Sequence, residues 1–343
     1  MVQILGLLLL SFLTISILLV PFINILYRIK LQRQNQKTRD MFEVRTPIFD
    51  KLHAHKVGTP VGGGALIILV VSILYLLVIT LAPYFGIERT SVYPYKKEVQ
   101  VLLFTFFSFG LLGFYDDLRK TFGFEKTKFR GMRLRYKFLI QWVLAIAIAA
   151  FLYFGLGIHI LNVRFFDIFD LGILYIPFAA FVIVSFTNAV NIADGLDGLA
   201  AGLLVICLMA FLIMSRGILD TTLSAFLGLW IGALIAFLYF NIWPARIWLG
   251  DVGALSFGAT LAVSGLLLGK PIALAVIGGM FVVEVTSSLI QILSKKIRRK
   301  KAFEVAPIHL WLQNKGWEEP KIVFRFWLAQ IVLAAFGLWL SFF

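Results

Sequence analysis

The sequence predicts an all-α, polytopic integral membrane protein in which residues 1–343 form a single transmembrane domain. Composition is the first reason: 60% of the residues are hydrophobic, only 15% are charged, and the mean hydropathy is +0.93. Soluble domains carry roughly 45–50% apolar and about 25% charged residues. A chain this apolar cannot bury its surface in water, which excludes a secreted domain and a disordered chain. The single cysteine, Cys207, excludes an intramolecular disulfide framework.

The second reason is the arrangement of the apolar segments along the chain. A helix that crosses a bilayer needs about 20 mostly apolar residues, and the sequence predicts about ten transmembrane helices. Between the fourth and fifth of them, the interval Ile158–Asp170 alternates apolar and polar residues and predicts a small hairpin. The predicted spans are 3–28, 60–83, 99–115, 137–157, 172–190, 198–215, 222–241, 252–269, 271–293 and 323–342.

The positions of the basic residues predict the orientation. Three hydrophilic stretches, Arg28–Lys56, Arg119–Lys137 and Lys295–Lys321, each hold eight of the 32 lysines and arginines. Loops rich in lysine and arginine stay in the cytoplasm, so both termini are expected to be extracytoplasmic. The net charge of +14 then faces anionic phospholipid, and the lipid bilayer is the expected partner. No stretch is long enough to fold into a separate basic surface, so we expect no nucleic acid partner.

Carboxylates are scarce in this sequence, and their positions predict a functional site. Ionisable groups inside a membrane are costly and usually serve a function. Of 18 acidic residues, six lie within or at the ends of predicted spans, and all six map to the cytoplasmic half. They are Asp116, Asp117, Asp194, Asp197, Asp251 and Glu284.

Two clusters contain paired carboxylates. In GFYDDLRK, Asp116 and Asp117 end an apolar helix, where one carboxylate can hold a metal while the other accepts a proton; a solvated helix end with local ion pairs is the alternative. In TNAVNIADGLDGLAAG, four polar residues recur every three positions and predict a polar stripe on a helix. Gly195 and Gly198 are able to break that helix. The stripe suits a sugar or a divalent ion, or a polar seam between helices. Its members are Asn188, Asn191, Asp194 and Asp197.

Three further clusters lie near predicted helix ends. Asp251, between Gly250 and Gly253, is either a helix cap or an oxygen ligand for magnesium. The nearby Trp248 is either an interfacial anchor or a ring that stacks on a planar base. In the segment His53–Gly64, Lys56 is able to meet a phosphate, whereas the glycines there also suit close helix packing. His309 lies between a basic run and the last span. A single histidine there is usually structural, and it takes part in a functional site only if its loop folds over the other clusters.

Together these clusters predict the kind of chemistry. Carboxylates without cysteines and with few histidines suit a hard, oxygen-preferring cation. Lysines suit phosphate, and the setting inside a membrane suits a lipid substrate. The pattern therefore indicates magnesium-assisted transfer of a phosphorylated group onto or from a lipid phosphate.

The motifs also carry a resemblance that covers nearly the whole chain. They are KVGTP before the second span, DDLRK, NAVNIADGLDGLA, the loop from Phe240 to Gly258, and PIH followed by KGWEEPK and RFW. With these motifs the chain resembles the phospho-N-acetylmuramoyl-pentapeptide-transferase family, within the polyprenyl-phosphate N-acetylhexosamine-1-phosphate transferases. The resemblance implies ten transmembrane helices, outward termini, a cytoplasmic active site, Mg²⁺ as cofactor, and the bacterial cytoplasmic (inner) membrane as location. It implies UDP-MurNAc-pentapeptide and undecaprenyl phosphate as substrates, lipid I and UMP as products, and a possible homodimer.

The resemblance also implies roles for individual residues. Asp251 would bind magnesium, Asp116 would deprotonate the lipid phosphate, and Trp248 would stack on uracil. The catalytic residues implied are Asp116, Asp117, Asp251 and His309. The substrate-binding residues implied are Lys56, Lys120, Lys137, Asn188, Asn191, Asp194, Gly195, Leu196, Asp197, Asn241 and Trp248. We favour direct attack of the lipid phosphate on the β-phosphate, with a covalent aspartyl-phosphate route as the alternative.

One departure from the family pattern bears on this interpretation. Where many members have three consecutive histidines, this sequence has His309, Leu310 and Trp311, which weakens any mechanism that needs a second histidine. A transferase of the same superfamily that uses GlcNAc-1-phosphate is the alternative function. A secondary transporter would have its carboxylates near the bilayer midplane, whereas here they cluster at one face of the membrane. A structural scaffold does not explain why so many carboxylates lie within the membrane.

Overall fold

The computed structural model of the chain describes six ranges of residues. The predicted basic stretches Arg28–Lys56 and Arg119–Lys137 lie partly outside them, as do residues 53–55 of the segment that precedes the second span. The described residues are 2–32, 46–52, 56–86, 88–123, 131–163 and 167–342.

Helices dominate the described residues, and a single hairpin accompanies them. Short turns of tighter or wider helix, Ala82–Phe85, Phe151–Gly155 and Gly172–Leu174, extend three of the helices. The helices are α1 Val2–Arg28, α2 Pro47–Leu52, α3 Gly63–Leu81, α4 Tyr95–Phe122, α5 Leu134–Ala150, α6 Tyr175–Ala193, α7 Leu199–Gly217, α8 Thr221–Asn241, α9 Gly250–Leu267, α10 Pro271–Ile277, α11 Gly279–Arg298, α12 Ile308–Asn314 and α13 Glu319–Phe342. The strands are β1 Ile160–Val163 and β2 Asp167–Asp170.

The burial pattern is that of a membrane protein. Within the described residues, nine helices are long and apolar enough to cross a bilayer, and the bent pair α10–α11 makes a tenth. α9 lies at the centre with 94% of its spanning stretch buried, whereas only 22% of that of α1 is buried. Outer helices that expose leucine and isoleucine to their surroundings need lipid around them. The predicted fold class, all-α and polytopic, is confirmed.

The predicted span 271–293 is broken, and the prediction of one continuous helix there was wrong. α10 and α11 meet at an angle of 81° around Gly278, where a Cβ atom would lie 2.6 Å from the ring of Phe186. The break frees backbone groups that lipid cannot satisfy. The side chain of Gln330 in α13 satisfies them: its amide donates to the Ile277 carbonyl and its oxygen accepts from Met280 N at 3.1 Å. The sulfur of Cys207 donates to the same Ile277 carbonyl.

The predicted hairpin within Ile158–Asp170 is confirmed. β1 and β2 are antiparallel, with Ile160 opposite Asp170. His159 Nδ1 lies 2.9 Å from Asp170 Oδ1, and this hydrogen bond lowers the pKa of Asp170. Both side chains are exposed, so the pair contributes little to stability.

Glycines allow two helices to approach the N-terminal end of α9 closely. A Cβ on Gly113 of α4 would overlap the backbone of Asp251 and lie 2.6 Å from Val252 N. A Cβ on Gly64 of α3 would overlap the Gly253 backbone. Small residues at helix crossings let backbones pack at short distance in membranes. These crossings bring the ends of α3, α4 and α9 together, and the functional side chains lie there.

Candidate active site

The first part of the site is a group of charges from three helices, called the acid–lysine cluster: Asp116, Asp117 and Lys120 of α4, Lys137 of α5, and Asp251 of α9. α4 does not end at the aspartates, as the sequence had suggested, but continues to Phe122 and ends at Gly123, which has a φ of 57°. The extra helical turn places Lys120 four residues from Asp116, on the same face. Lys120 Nζ lies 3.1 Å from Asp116 Oδ2 and 2.7 Å from Asp251 Oδ2.

A second lysine binds the same two carboxylates. Lys137 Nζ lies 3.0 Å from Asp116 Oδ2 and also forms an ion pair with Asp251. The other oxygen of Asp116 accepts a hydrogen bond from Met132 N at 2.7 Å. Asp116 is therefore buried with both oxygens engaged, and two ammonium groups lie between it and Asp251.

Asp117 has a different position from its neighbour. Its Oδ2 accepts a hydrogen bond from Val252 N at 3.0 Å, so Asp117 satisfies an amide in the first turn of α9. Consecutive helical residues point about 100° apart, which explains why the pair divides its contacts. Asp251 itself does not cap α9: the N-cap is Leu249, with no side-chain cap. The carboxylate of Asp251 faces the lysines instead.

The second part of the site is a buried group around one lysine, called the Lys56 hub: Lys56, Asp197, Glu319 and Trp248. Lys56 Nζ lies 2.8 Å from Asp197 Oδ1 and 2.5 Å from Glu319 Oε1. It also lies 5.7 Å from the centre of the Trp248 ring. The two carboxylates and the lysine are almost completely buried, so each needs the others to offset the cost of leaving water.

The hub joins segments that are distant in sequence. Asp197 N donates to Glu319 Oε1 at 2.6 Å, and Asp197 also accepts from Ala245 N at 2.9 Å and Trp248 Nε1 at 3.2 Å. Backbone bonds from Gly62 N and Gly63 N to the Trp248 carbonyl hold the same region. The turn between α6 and α7, the α8–α9 loop and the start of α13 are thereby fixed relative to Lys56.

The predicted polar stripe is interrupted. α6 ends at Ala193, so Asn188 and Asn191 are helical, whereas Asp194 and Asp197 lie in the turn before α7. Asn188 donates to Gln141 Oε1 of α5 at 2.8 Å. Burial raises the pKa of Asp194 well above its ordinary value, and the charges of Asp251 and Asp117 raise it further. The charges of Lys56 and Asp197 in the hub also act on Asp194, so Asp194 is within electrostatic reach of both charged groups.

Two of the residues that the resemblance implies as substrate-binding, Asn241 and Leu196, lie in the walls of the site. Asn241 is buried and donates to the Ile247 carbonyl at 2.9 Å, so it braces the α8–α9 loop. Leu196 is buried in the α6–α7 turn. Trp248 is half-buried, with its ring beside Lys56 and its N–H on Asp197.

His309 reaches the same turn from α12. Its Nδ1 lies 2.8 Å from Glu284 Oε2 of α11. Its Nε2 faces Gly195 so closely that a Cβ atom on Gly195 would lie 2.5 Å from Nε2. The segment of His309 therefore does fold over the other clusters, as a functional role required.

The structure thus brings the charged residues named from the sequence to one end of the helix bundle. Two members of the site had no role assigned from the sequence. Glu319 had no signal beyond its place in KGWEEPK, and Glu284 was only one of six intramembrane carboxylates. The arrangement therefore offers a mostly buried group of acids and lysines, whose ammonium groups are able to bind phosphates and offset their negative charge.

Comparisons with known proteins give the class and then the family. The fold is that of a multi-pass helical membrane protein, and residues 99–269 match the family model described as glycosyl transferase family 4. A phospho-N-acetylmuramoyl-pentapeptide-transferase of Caldanaerobacter subterraneus is 36% identical, over 82% of this chain and 84% of its own. A protein of the same name from Rickettsia canadensis is 34% identical, over 90% of this chain and 86% of its own. Another, from Pelobacter propionicus, is 38% identical, over 82% of this chain and 79% of its own. The chain belongs to the phospho-N-acetylmuramoyl-pentapeptide-transferase family, and it is an enzyme of the phosphoglycosyl transferase type.

Proposed function

We propose that this chain transfers phospho-MurNAc-pentapeptide from UDP-MurNAc-pentapeptide to undecaprenyl phosphate, giving lipid I and UMP. The reaction takes place at the cytoplasmic face of a bacterial cytoplasmic membrane. Membership of the family supports the substrates. The observation that carries the proposal is the convergence of Asp116 and Asp251 on the same two lysines, Lys120 and Lys137.

The lysines supply positive charge where phosphates meet. Two phosphorylated substrates repel each other, and ammonium groups reduce that repulsion without entering the reaction. Lys120 is 45% exposed, whereas Lys137 is nearly buried. We assign Lys120 to the entering phosphate and Lys137 to the group held deeper in the site.

The reaction is one displacement at phosphorus. An oxygen of the lipid phosphate attacks the β-phosphorus of the donor, the bond from that phosphorus to the bridging oxygen breaks, and UMP leaves with the bridging oxygen. Asp116 takes the proton from the lipid phosphate and keeps it ionised. Asp117 contributes indirectly, because its bond to Val252 N fixes the turn that carries Asp251.

The donor set fits a magnesium ion. Among the described residues, no three acidic, histidine or cysteine side chains form a metal cage. Magnesium bound with phosphates usually takes one or two carboxylates and fills its shell with phosphate oxygens and water. Asp251 would hold it, with Asp116 nearby. Bound there, Mg²⁺ supplies charge neutralisation to the pyrophosphate.

The Lys56 hub serves the donor side of the site. Lys56 is enclosed by carboxylates, so we assign it to shaping the pocket through Asp197 and Trp248. We assign Asp194, in the α6–α7 turn, and Asn191, in the last turn of α6, to the nucleotide sugar. Asn188, Gly195, Leu196 and Asn241 complete the walls.

The test is release of UMP by the purified full-length chain. We expect release from UDP-MurNAc-pentapeptide with undecaprenyl phosphate and magnesium, and none after magnesium is removed. Asp251→Asn and Asp116→Asn are expected to lower the rate by about 10²–10³-fold, while each protein still elutes as a single folded species. The control is Glu304→Gln, which removes an exposed carboxylate whose ion-pair partner is the exposed Lys315.

Each alternative gives a different result in this assay. UMP release from UDP-GlcNAc but not from UDP-MurNAc-pentapeptide would assign the chain to the GlcNAc-1-phosphate branch. Full activity in either aspartate variant would reject the role given to that residue.

The homodimer stays a prediction, which light scattering of the purified protein checks.

A further inference from the structure

α11 has its polar side inside the protein and its apolar side outside. The apolar face is exposed, at Leu289, Ile290, Leu293 and Ile297. The opposite face is buried and polar, at Glu284, Ser287, Gln291 and Ser294. A helix with its apolar face outward and its polar face inward fits lipid on one side and a hydrogen-bonded protein segment on the other.

The polar face holds the chain that follows α11. Gln291 accepts from Ala302 N and Phe303 N, both at 2.9 Å. Ser294 donates to the Lys300 carbonyl, and Ser287 accepts from Ile308 N at 3.1 Å. These three side chains bind only backbone, so their role is to fix the path of the segment.

Glu284 is the exception, because it binds a side chain of the proposed active site. Its Oε2 lies 2.8 Å from His309 Nδ1, and both side chains are buried. Its Oε1 is buried and accepts no hydrogen bond from the part of the chain that the structure describes. A buried carboxylate with one unpaired oxygen lowers the free energy of unfolding, so stabilisation of the fold does not explain why this pair is buried here.

The contact with Glu284 points to one position for the proton on a neutral His309. An ionised carboxylate only accepts, so with Glu284 ionised the donor is Nδ1 of His309. Nε2 is then left without a proton, and Nε2 is the nitrogen that faces Gly195, in the turn between Asp194 and Asp197. A carboxylate behind an imidazole is a common way to fix both ring orientation and tautomer.

We propose that Glu284 is a positioning residue, which holds His309 as the tautomer with the proton on Nδ1 and presents the unprotonated Nε2 to the α6–α7 turn. The effect of this positioning on catalysis rests on the proposed function. The tautomer of His309 does not depend on the proposed function, so the two proposals can be tested separately.

The tautomer is measured first, on the unmodified protein. The chain has four histidines, so ¹⁵N-histidine labelling gives a short spectrum, and loss of one signal set in His309→Gln assigns His309. We expect, at pH 8, a protonated Nδ1 and an unprotonated Nε2. The opposite tautomer, or a mixture of both, overturns the proposal whatever the enzyme turns over.

Two substitutions then separate positioning from packing. Glu284→Gln keeps an acceptor oxygen and is expected to preserve the tautomer and to keep kcat within about threefold. Glu284→Leu keeps the volume without an acceptor and is expected to lower kcat by about 10–100-fold, as loss of an orienting partner does, with KM for the donor little changed. Ser287→Ala is the matched control, since it loosens the same segment without reaching the ring.

The outcomes are distinct. A folded Glu284→Leu protein with unchanged kcat and tautomer refutes the proposal, as does a Gln variant that loses as much as the Leu variant. If Glu284→Leu does not fold, the spectrum of the unmodified protein and the Gln variant still decide. If the unmodified protein releases no UMP from any donor, the proposed function fails while the tautomer measurement stands.

Discussion

The close crossing of α4 and α9 gives the sharpest test of how the fold builds the site. Gly113→Ala would place a Cβ atom 2.6 Å from Val252 N and in overlap with the Asp251 backbone, whereas ordinary contact begins near 3.4 Å. The two backbones must separate by about 1 Å, and overpacking of this size costs about 1–3 kcal/mol of stability. A misplacement of about 1 Å in a catalytic group lowers turnover by about 10²-fold. We therefore expect kcat for UMP release to fall by about 100-fold.

The matched control is Gly6→Ala in α1, because a Cβ there meets nothing within 4 Å. Both substitutions add one methyl group to a transmembrane helix, so they share any general effect on helix propensity or insertion. Both proteins are compared by size-exclusion profile, thermal midpoint in detergent and kcat. A folded Gly113→Ala protein with the kcat of the Gly6→Ala control would refute the argument that this crossing sets the position of Asp251.

Three other substitutions test the buried polar groups, each by the thermal midpoint in detergent. Glu319→Gln removes one of the two carboxylates on Lys56 and is expected to destabilise the protein by about 3 kcal/mol; an unchanged midpoint would contradict the hub. Asp194→Asn is expected to raise the midpoint at pH 8 and to raise it less towards pH 4. The pKa of Asp194 in the folded protein is raised above its ordinary value of 3.8, so the ionised carboxylate lowers the free energy of unfolding at pH values above 3.8 and not below it. An equal gain in midpoint at pH 8 and pH 4 would contradict this sign. Gln330→Leu leaves the Ile277 carbonyl without its amide donor and is expected to cost about 1–3 kcal/mol; a higher midpoint would contradict it.

The spans were predictable because hydropathy is a local property. A stretch such as 222–241 is apolar whatever surrounds it, and the observed helix Thr221–Asn241 differs by one residue. The helix ends were less predictable, because a break depends on neighbours. Nothing in the sequence around Gly278 shows that Gln330, more than 50 residues later, will satisfy the groups that the break exposes.

The site was predictable as a set but not as a network. Scarce carboxylates inside a membrane draw attention by their cost alone, so Asp116, Asp194 and Asp251 were identifiable without a structure. Which charges pair is a property of the folded chain. Lys56 was expected to face phosphate, yet the structure surrounds it with Asp197 and Glu319, because those segments meet only when α7 and α13 pack together.

In the proposed reaction, the acid–lysine cluster links substrate binding to catalysis. Asp116 and Asp251 share Lys120 and Lys137, so an incoming phosphate must compete with two carboxylates for the same ammonium groups. Part of its binding energy therefore goes into separating ion pairs, which keeps ground-state binding weak. The freed carboxylates are then available for the roles proposed above, Asp116 to take a proton and Asp251 to hold a cation. Binding energy that is spent on arranging the reacting groups raises kcat rather than affinity, which is why opposite charges are worth keeping together in a site that binds anions.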